Sequence, residues 1–155
     1  MPIVNWTQLG QPFTRFNVTI SDPWMLALEM LQGATHLQIT ATGTWVMMDG
    51  LVAACGPNGL AGLPIQPDRL IIADCPLGAL IGKFGGSAAT LSSASATGSS
   101  APALAEGRAF GIGTYCVTKI PDGFIGPLLL GFNSLVRPVR VTDLTVGIAG
   151  ATPTL

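Results

Sequence analysis

LQITATGTW, residues 37–45, contains the pattern that decides the fold class of this chain. Over its first six positions, apolar and polar residues alternate. The same period of two recurs in FNVTI at 16–20 and in LTVGI at 144–148. Alternation with β-branched residues is typical of strands that bury one face and expose the other. These stretches therefore predict half-buried β-strands.

Three other stretches predict strands that are mostly buried: LGALIGKF at 77–84, AFGIGTYCV at 109–117 and IGPLLLGFN at 125–133. Their glycines allow close packing of neighbouring backbones. Asp122-Gly123, following Pro121, predicts a turn between the last two stretches. Seven or more short strands separated by turn signals indicate an all-β fold, an antiparallel β-sandwich of the jelly-roll kind with at most one short helix.

Near the C-terminal end of the chain, the alternation of apolar and polar residues shifts by one position. Val139 and Val141 lie in the opposite phase from Leu144 and Val146. One extra residue in the strand reconciles the two phases, so we expect a β-bulge near Thr142-Asp143.

SDPWMLALEMLQG at 21–33 favours a helix on local grounds. Pro23 suits the first helical position, and strong helix formers fill the interior. We expect one domain over residues 1–155, with an N-terminal segment at 1–12 and an inserted Ser/Ala-rich loop at 87–105. That loop is either a flexible surface segment or an arm that orders against a neighbouring subunit.

Charge is scarce: 10% of the 155 residues are charged, and the net charge is -1. This balance gives no field to attract nucleic acid. The apolar runs at 24–31 and 125–132 are too short for membrane insertion, and the first ten residues lack a secretory signal. Either the surface is built from Thr, Ser, Gln, Asn and Gly, or neighbouring subunits cover much of it. We favour the second interpretation because obligate interfaces resemble a core cut in half.

The sequence gives little support for a metal site or for a catalytic site. Cys55, Cys75 and Cys116 show no metal-ligand spacing; three buried free thiols are favoured over one disulfide with a spare thiol. His36, the single histidine, has no nucleophile motif beside it and is interpreted as structural. We therefore expect no catalytic residues and no enzyme.

Six motifs follow one another in a particular order along the chain: ITATGTW (39–45), CGPNG (55–59), PLGALIGKFGG (76–86), GRAFGIGT (107–114), GPLLLGFNS (126–134) and DLTVGIAG (143–150). This series resembles the calcium-dependent, galactose-specific bacterial lectin family and related lectin-like β-sandwich domains. The resemblance covers residues 13–150 and supports the sandwich. It also implies that residues 26–31 form a strand, because LEMLQGATHLQI (28–39) resembles a strand of that family.

The resemblance implies a calcium site at one end of the sandwich, in a loop that begins with Asn-Asp. Here that position reads Asn133-Ser134, without the carboxylate, and the downstream Asn/Asp pair falls at Val139-Arg140. Arg137 and Arg140 add positive charge where a dication would sit. We therefore expect the turn to persist as architecture, with its calcium chemistry lost and no cofactor.

The sequence favours a structural or assembly subunit of a larger particle, most readily a bacteriophage virion or capsid-decoration protein. Its partners would be copies of itself or other structural proteins of that particle, and its location would be the virion, or the cytoplasm before assembly. The alternative is a carbohydrate-binding lectin or adhesin, with calcium as its ion and with Asp49, Gln66, Asn133 and Ser134 contacting glycans. The interface candidates are Phe13, Trp24, Met25, Met47, Met48, Leu51 and Leu135.

Overall fold

A computed structural model gives the fold of the chain. It describes residues 5–11, 13–18, 24–48, 52–60, 70–86, 109–135 and 140–152. The Ser/Ala-rich segment 87–105 lies outside these residues. The strands, in chain order, are β1 (Thr7–Gln8), β2 (Phe13–Val18), β3 (Trp24–Leu31), β4 (His36–Met48), β5 (Val52–Cys55), β6 (Leu80–Phe84), β7 (Ala109–Gly111), β8 (Tyr115–Lys119), β9 (Gly126–Phe132) and β10 (Arg140–Ala151).

The strands form two antiparallel sheets that pack against each other. In the six-stranded sheet, β10 pairs along β4; β1 and β2 flank β10, and β5 and β8 flank β4. The four-stranded sheet has the order β3-β9-β6-β7. The described residues contain no helix. The predicted all-β sandwich is therefore confirmed.

The alternation in residues 37–45 separates the two faces of β4. Leu37, Ile39 and Trp45 are buried between the sheets, where Trp45 meets Phe132 edge-on at a centroid distance of 4.7 Å. The other face is at least partly exposed and is rich in hydroxyl groups. We call it the hydroxyl face. It consists of Gln38, Thr40, Thr42 and Thr44 of β4, Tyr115 of β8 and Thr145 of β10.

The four-stranded sheet also has an apolar layer on its outer side. Trp24, Ile81 and Leu129 pack there as a second, smaller cluster with Ile71 and Ala109. Lys83 points to the same side and is fully buried, with Nζ 4.7 Å from the centroid of the Trp24 ring. An ammonium above an indole face is attracted by the ring quadrupole. The part of this sheet around Trp24, Ile81 and Leu129 is thus covered on its outer face as well, whereas Leu26 and Met30 of β3 are exposed.

The helix that local propensity predicts over 21–33 is wrong, and the strand implied by the family resemblance is confirmed. β3 pairs with β9 and buries Met25 and Leu31 in the main core, while Trp24 enters the second cluster. Adjacent residues of a strand face opposite sides, which allows this two-sided burial. The register of the pairing shifts between Leu26 and Leu28 and between Leu28 and Leu31. Tertiary burial overrides the helix propensity of the segment.

The single buried strand predicted over 109–117 is also wrong, because the chain changes sheets there. β7 belongs to the four-stranded sheet and β8 to the six-stranded sheet. Gly113 adopts a φ of +67° at the crossing, where the N–H groups of Ile112 and Gly113 both donate to the Leu80 carbonyl. The side chains of β8 alternate between exposed and half-buried positions.

The predicted β-bulge is confirmed. The pairing of β10 with β4 shifts register between Val141 and Asp143. The Asp143 carboxylate accepts hydrogen bonds from the backbone N–H of Thr44 at 3.1 Å and from its hydroxyl at 3.0 Å. These bonds satisfy the polar groups that the bulge leaves out of the regular ladder.

Candidate functional site

The Asn133-Ser134 turn closes the carboxyl end of β9, where the family resemblance implies an ion site. Asn133 is fully buried, and Ser134 is 3% exposed. The Ser134 N–H donates to the Phe132 carbonyl at 2.7 Å, which tightens the chain directly after the strand. The turn is therefore an interior feature of the sandwich end.

The oxygen and the nitrogen of the Asn133 side chain both form hydrogen bonds with the backbone of residues 72–76, which precede β6. Its Oδ1 accepts the N–H of Ile72 at 2.7 Å. Its Nδ2 donates to three carbonyl oxygens, those of Ile72 and Cys75 at 2.9 Å and of Pro76 at 3.1 Å. A buried amide that satisfies four backbone groups fixes this segment against β9.

The backbone of Asn133 continues the same network. Its N–H donates to the Ala79 carbonyl at 2.8 Å, and its carbonyl accepts the N–H of Gly78 at 3.0 Å. The Gly78 carbonyl in turn accepts the indole Nε1–H of Trp45 at 2.8 Å. The turn is thus joined to the central tryptophan of the opposite sheet.

This arrangement does not favour the binding of a metal ion at the Asn133-Ser134 turn. Carbonyl oxygens that converge on one point are calcium-type ligands, but here the Nδ2 of Asn133 occupies the point of convergence and satisfies them. No group of three or more His, Cys, Asp or Glu side chains with metal-site geometry occurs among the residues that the structure describes. The geometry supports an architectural role for the turn.

The structure places few of the other predicted site residues. Arg140 begins β10 and is exposed. Asp49, Gln66 and Val139 lie outside the described residues, as does Arg137.

The interface candidates divide by burial. Trp24, Met25 and Met47 lie in the interior of this chain, at 2%, 5% and 0% exposure, so they are not available as surface contacts. Phe13 is half-buried against the main core. The side chains of Met48 and Leu51 lie outside the described part. Leu135, two residues beyond Asn133, is exposed.

The three cysteines are free thiols. Burial raises the pKa of the Cys55 thiol to about 11, although the side-chain hydrogen bond with Trp45 acts in the opposite direction. Burial also raises the pKa of Cys116, and for Cys75 the negative charge of Asp74 adds to the effect of burial. Raised pKa values leave these groups as unreactive thiols near neutral pH.

An open depression of about 730 Å³ lies at the opposite end of the sandwich from Asn133. The predicted turn at Asp122-Gly123 is confirmed and forms part of its wall, closed by a hydrogen bond from the Phe124 N–H to the Pro121 carbonyl. We call this feature the 120–125 depression. Three separated segments build it, namely 32–35, 120–125 and Thr152, so no single stretch of the sequence indicates it.

Comparisons of the chain with protein-family models, with curated proteins and with solved structures give no match. The part of the chain that the structure describes contains no helix of the length and apolar character needed to cross a membrane. The function is therefore inferred from the surface of the chain and from the Asn133-Ser134 turn.

Proposed function

We propose that this chain is a non-enzymatic structural subunit that assembles with copies of itself or with other structural proteins. A larger particle is the setting that we favour, with a bacteriophage virion or its capsid decoration as the leading candidate. The observation that carries the proposal is a set of large apolar side chains exposed on the single chain. They are Leu26, Met30, Tyr115, Val117, Ile125 and Leu135.

Four of these six side chains form two pairs, each on one strand. Leu26 and Met30 lie on β3, and Tyr115 and Val117 lie on β8. Both strands stand at the side of a sheet and pair with one neighbour among the described strands. Full burial of a large apolar side chain contributes about 1.5–3 kcal/mol. A partner that covered several of them would gain a substantial binding free energy.

The hydroxyl face accounts for part of the low charge without any partner, because Thr and Gln hydrate well. It does not account for the exposed apolar side chains. Typical soluble domains carry about 25% charged residues over the whole chain, and charge on the surface opposes association. With 10% charged residues in the whole chain, electrostatic repulsion between copies is weak.

The Asn133 network weighs against the alternative, a calcium-dependent lectin. Asn133 and Ser134 are the described members of the site that this alternative requires, and both are buried. A sugar hydroxyl cannot reach the Asn133 amide without displacing the bonds that hold residues 72–76. A glycan array screened with and without calcium tests the alternative, and calcium-sensitive binding would favour it.

Sedimentation velocity over a range of about 1 to 500 µM tests the proposal directly. We expect the average mass to rise above 15.9 kDa with concentration. Association should persist at about 1 M NaCl, because apolar contacts are not screened by salt. A single 15.9 kDa species over the whole range would contradict self-assembly. A mixture with candidate partner proteins would then be the remaining form of the proposal to test.

A further inference from the structure

We propose that Asn58 is a site of spontaneous deamidation, and that opening of the turn that contains it sets the rate of this modification. Asn58 is exposed and is followed by Gly59. Glycine has no side chain to shield its backbone nitrogen, so an Asn-Gly pair reacts faster than asparagine before a larger residue. The other asparagines of the chain precede Trp6, Val18 and Ser134. This inference does not depend on the proposed assembly.

The reaction involves the Asn58 side chain, the following backbone nitrogen and water. The nitrogen of Gly59 loses its proton to a base in the solvent and attacks Cγ of the Asn58 amide. A bond forms between this nitrogen and Cγ, the bond from Cγ to Nδ2 breaks, and Nδ2 leaves as ammonia with a proton from water. Water then opens the succinimide ring. Attack at Cγ gives aspartate, and attack at the backbone carbonyl carbon gives isoaspartate.

The closed turn holds both reacting groups in other hydrogen bonds. The Gly59 N–H donates to the Gly56 carbonyl at 2.9 Å, so the proton that must leave is engaged. The Asn58 Oδ1 accepts the Thr114 N–H at 3.0 Å, which ties the amide to the crossing between β7 and β8. Attack therefore requires that both groups are released.

The backbone on either side of the pair is attached to the segment that leads into β6. The Leu80 N–H donates to the Pro57 carbonyl at 2.8 Å, and the Leu60 N–H donates to the Leu77 carbonyl at 2.9 Å. Gly59 itself packs closely there, since a Cβ at this position would lie 2.8 Å from the Leu77 oxygen. The backbone rotation that brings the nitrogen to Cγ thus requires local opening of residues 56–60.

A reaction that needs an open state proceeds at the rate of the unfolded chain multiplied by the fraction of molecules that are open. The products should also differ in their effect on the fold. An aspartate keeps an acceptor for the Thr114 N–H. An isoaspartate adds a methylene group to the main chain between residues whose positions are fixed, so we expect it to prevent the turn from closing.

Incubation of the folded chain and of the chain in guanidinium chloride, at the same mildly alkaline pH and temperature, tests the inference. Peptide mapping by mass spectrometry follows the loss of each asparagine. We expect Asn58 to react before the other asparagines in both conditions. In the folded chain its reaction should be at least about tenfold slower than in the unfolded chain.

Gly113→Ala and Gly123→Ala form a matched pair for the contact of Asn58 with the crossing. Both glycines have a positive φ, +67° and +74°. A Cβ at Gly113 would lie 2.6 Å from the Asn58 Oδ1, whereas a Cβ at Gly123 would meet nothing within 4 Å. Loss of one hydrogen bond should speed the folded-state reaction of Gly113→Ala about threefold to tenfold. Gly123→Ala should react as wild type does, and all three chains should react alike in guanidinium chloride.

Equal rates in folded and unfolded wild type would overturn the inference, as would faster loss of another asparagine in the folded chain. Equal folded-state rates of the two variants would do the same. Circular dichroism checks that both variants fold. If Gly113→Ala does not fold, hydrogen exchange of wild type replaces it. The amide protons of Gly59 and Thr114 should then exchange slowly, and exchange as fast as in the unfolded chain would contradict the closed turn.

Discussion

The side chain of Asn133 pairs with both backbone polar groups of Ile72. Its Oδ1 accepts the Ile72 N–H at 2.7 Å, and its Nδ2 donates to the Ile72 carbonyl at 2.9 Å. The amide thus pairs with the N–H and the carbonyl of residue 72 in the way that the backbone of a neighbouring β-strand does. Because Nδ2 also reaches the carbonyls of Cys75 and Pro76, one side chain anchors this whole stretch to the end of β9.

Asn133→Asp should destabilise the fold strongly. The substitution removes the donor to three buried carbonyls and places a carboxylate oxygen among them. Since unsatisfied or repelled buried groups are costly, we expect a loss of about 3 kcal/mol. For a chain of this size that loss corresponds to a decrease in Tm of about 6–12 °C. Chemical and thermal unfolding measure it.

Asn58→Asp is the matched control for that substitution. The Asn58 Oδ1 accepts the Thr114 N–H at 3.0 Å in an exposed position, and an aspartate keeps this acceptor. We expect a change within about 0.5 kcal/mol. Equal stability of the two variants would show that the Asn133 amide does not anchor the segment.

Gly78→Ala and Gly33→Ala separate backbone strain from packing. Both glycines have a φ of +82°, where a Cβ is unfavourable. A Cβ at Gly33 would meet open space, whereas at Gly78 it would lie 2.9 Å from Cys55 Sγ and from Met47 Cγ. We expect losses of about 1 kcal/mol for Gly33→Ala and about 3 kcal/mol for Gly78→Ala. Urea unfolding measures both, and similar losses would contradict the packing of Cys55 and Met47 against residue 78.

Burial of Cys55 makes stability depend on alkaline pH. Its pKa is raised from 9.0 in the unfolded chain to about 11 in the fold. Between these values the unfolded state releases a proton that the folded state keeps, so the stabilisation present below pH 9 is lost as the pH rises toward 11. The slope is about 1.4 kcal/mol per pH unit.

Cys55→Ala isolates this contribution from the other groups that titrate in the same range. Unfolding in urea at a series of pH values should show a shallower alkaline decline for the variant than for wild type. Parallel declines would mean that the Cys55 thiol ionises in the folded state as it does in the unfolded chain.

The sequence predicts the sandwich and the bulge because both depend on local features, namely alternation of apolar residues and short apolar runs between turn signals. Val141 and Leu144 are three positions apart, yet both belong to the apolar face of the strand. Because side chains of a regular strand alternate between its two faces, one extra residue must lie between them, and this predicts the bulge. Residues 24–31 show the limit of local reasoning. Their helix propensity is real, but burial of Met25, Leu31 and Trp24 against two different layers outweighs it.

The site was less predictable. The sequence suggests that Asn133-Ser134 is architectural because the carboxylate is missing, but it does not reveal what replaces the ion. The partners of Asn133 are backbone groups about sixty residues away, and backbone groups carry no sequence signature. The 120–125 depression was missed for a similar reason, since its walls come from segments that only the folded chain brings together.

Calcium titration of the intact chain tests most directly whether the Asn133 turn is architecture or an ion site. Isothermal calorimetry with calcium in the millimolar range, together with thermal unfolding in calcium and in a chelator, is the measurement. We expect no heat beyond dilution and the same Tm in both conditions, because the Asn133 Nδ2 already satisfies the converging carbonyls. Saturable binding at micromolar concentration, with the rise in Tm that a ligand specific for the folded state produces, would contradict the architectural role and restore the lectin alternative.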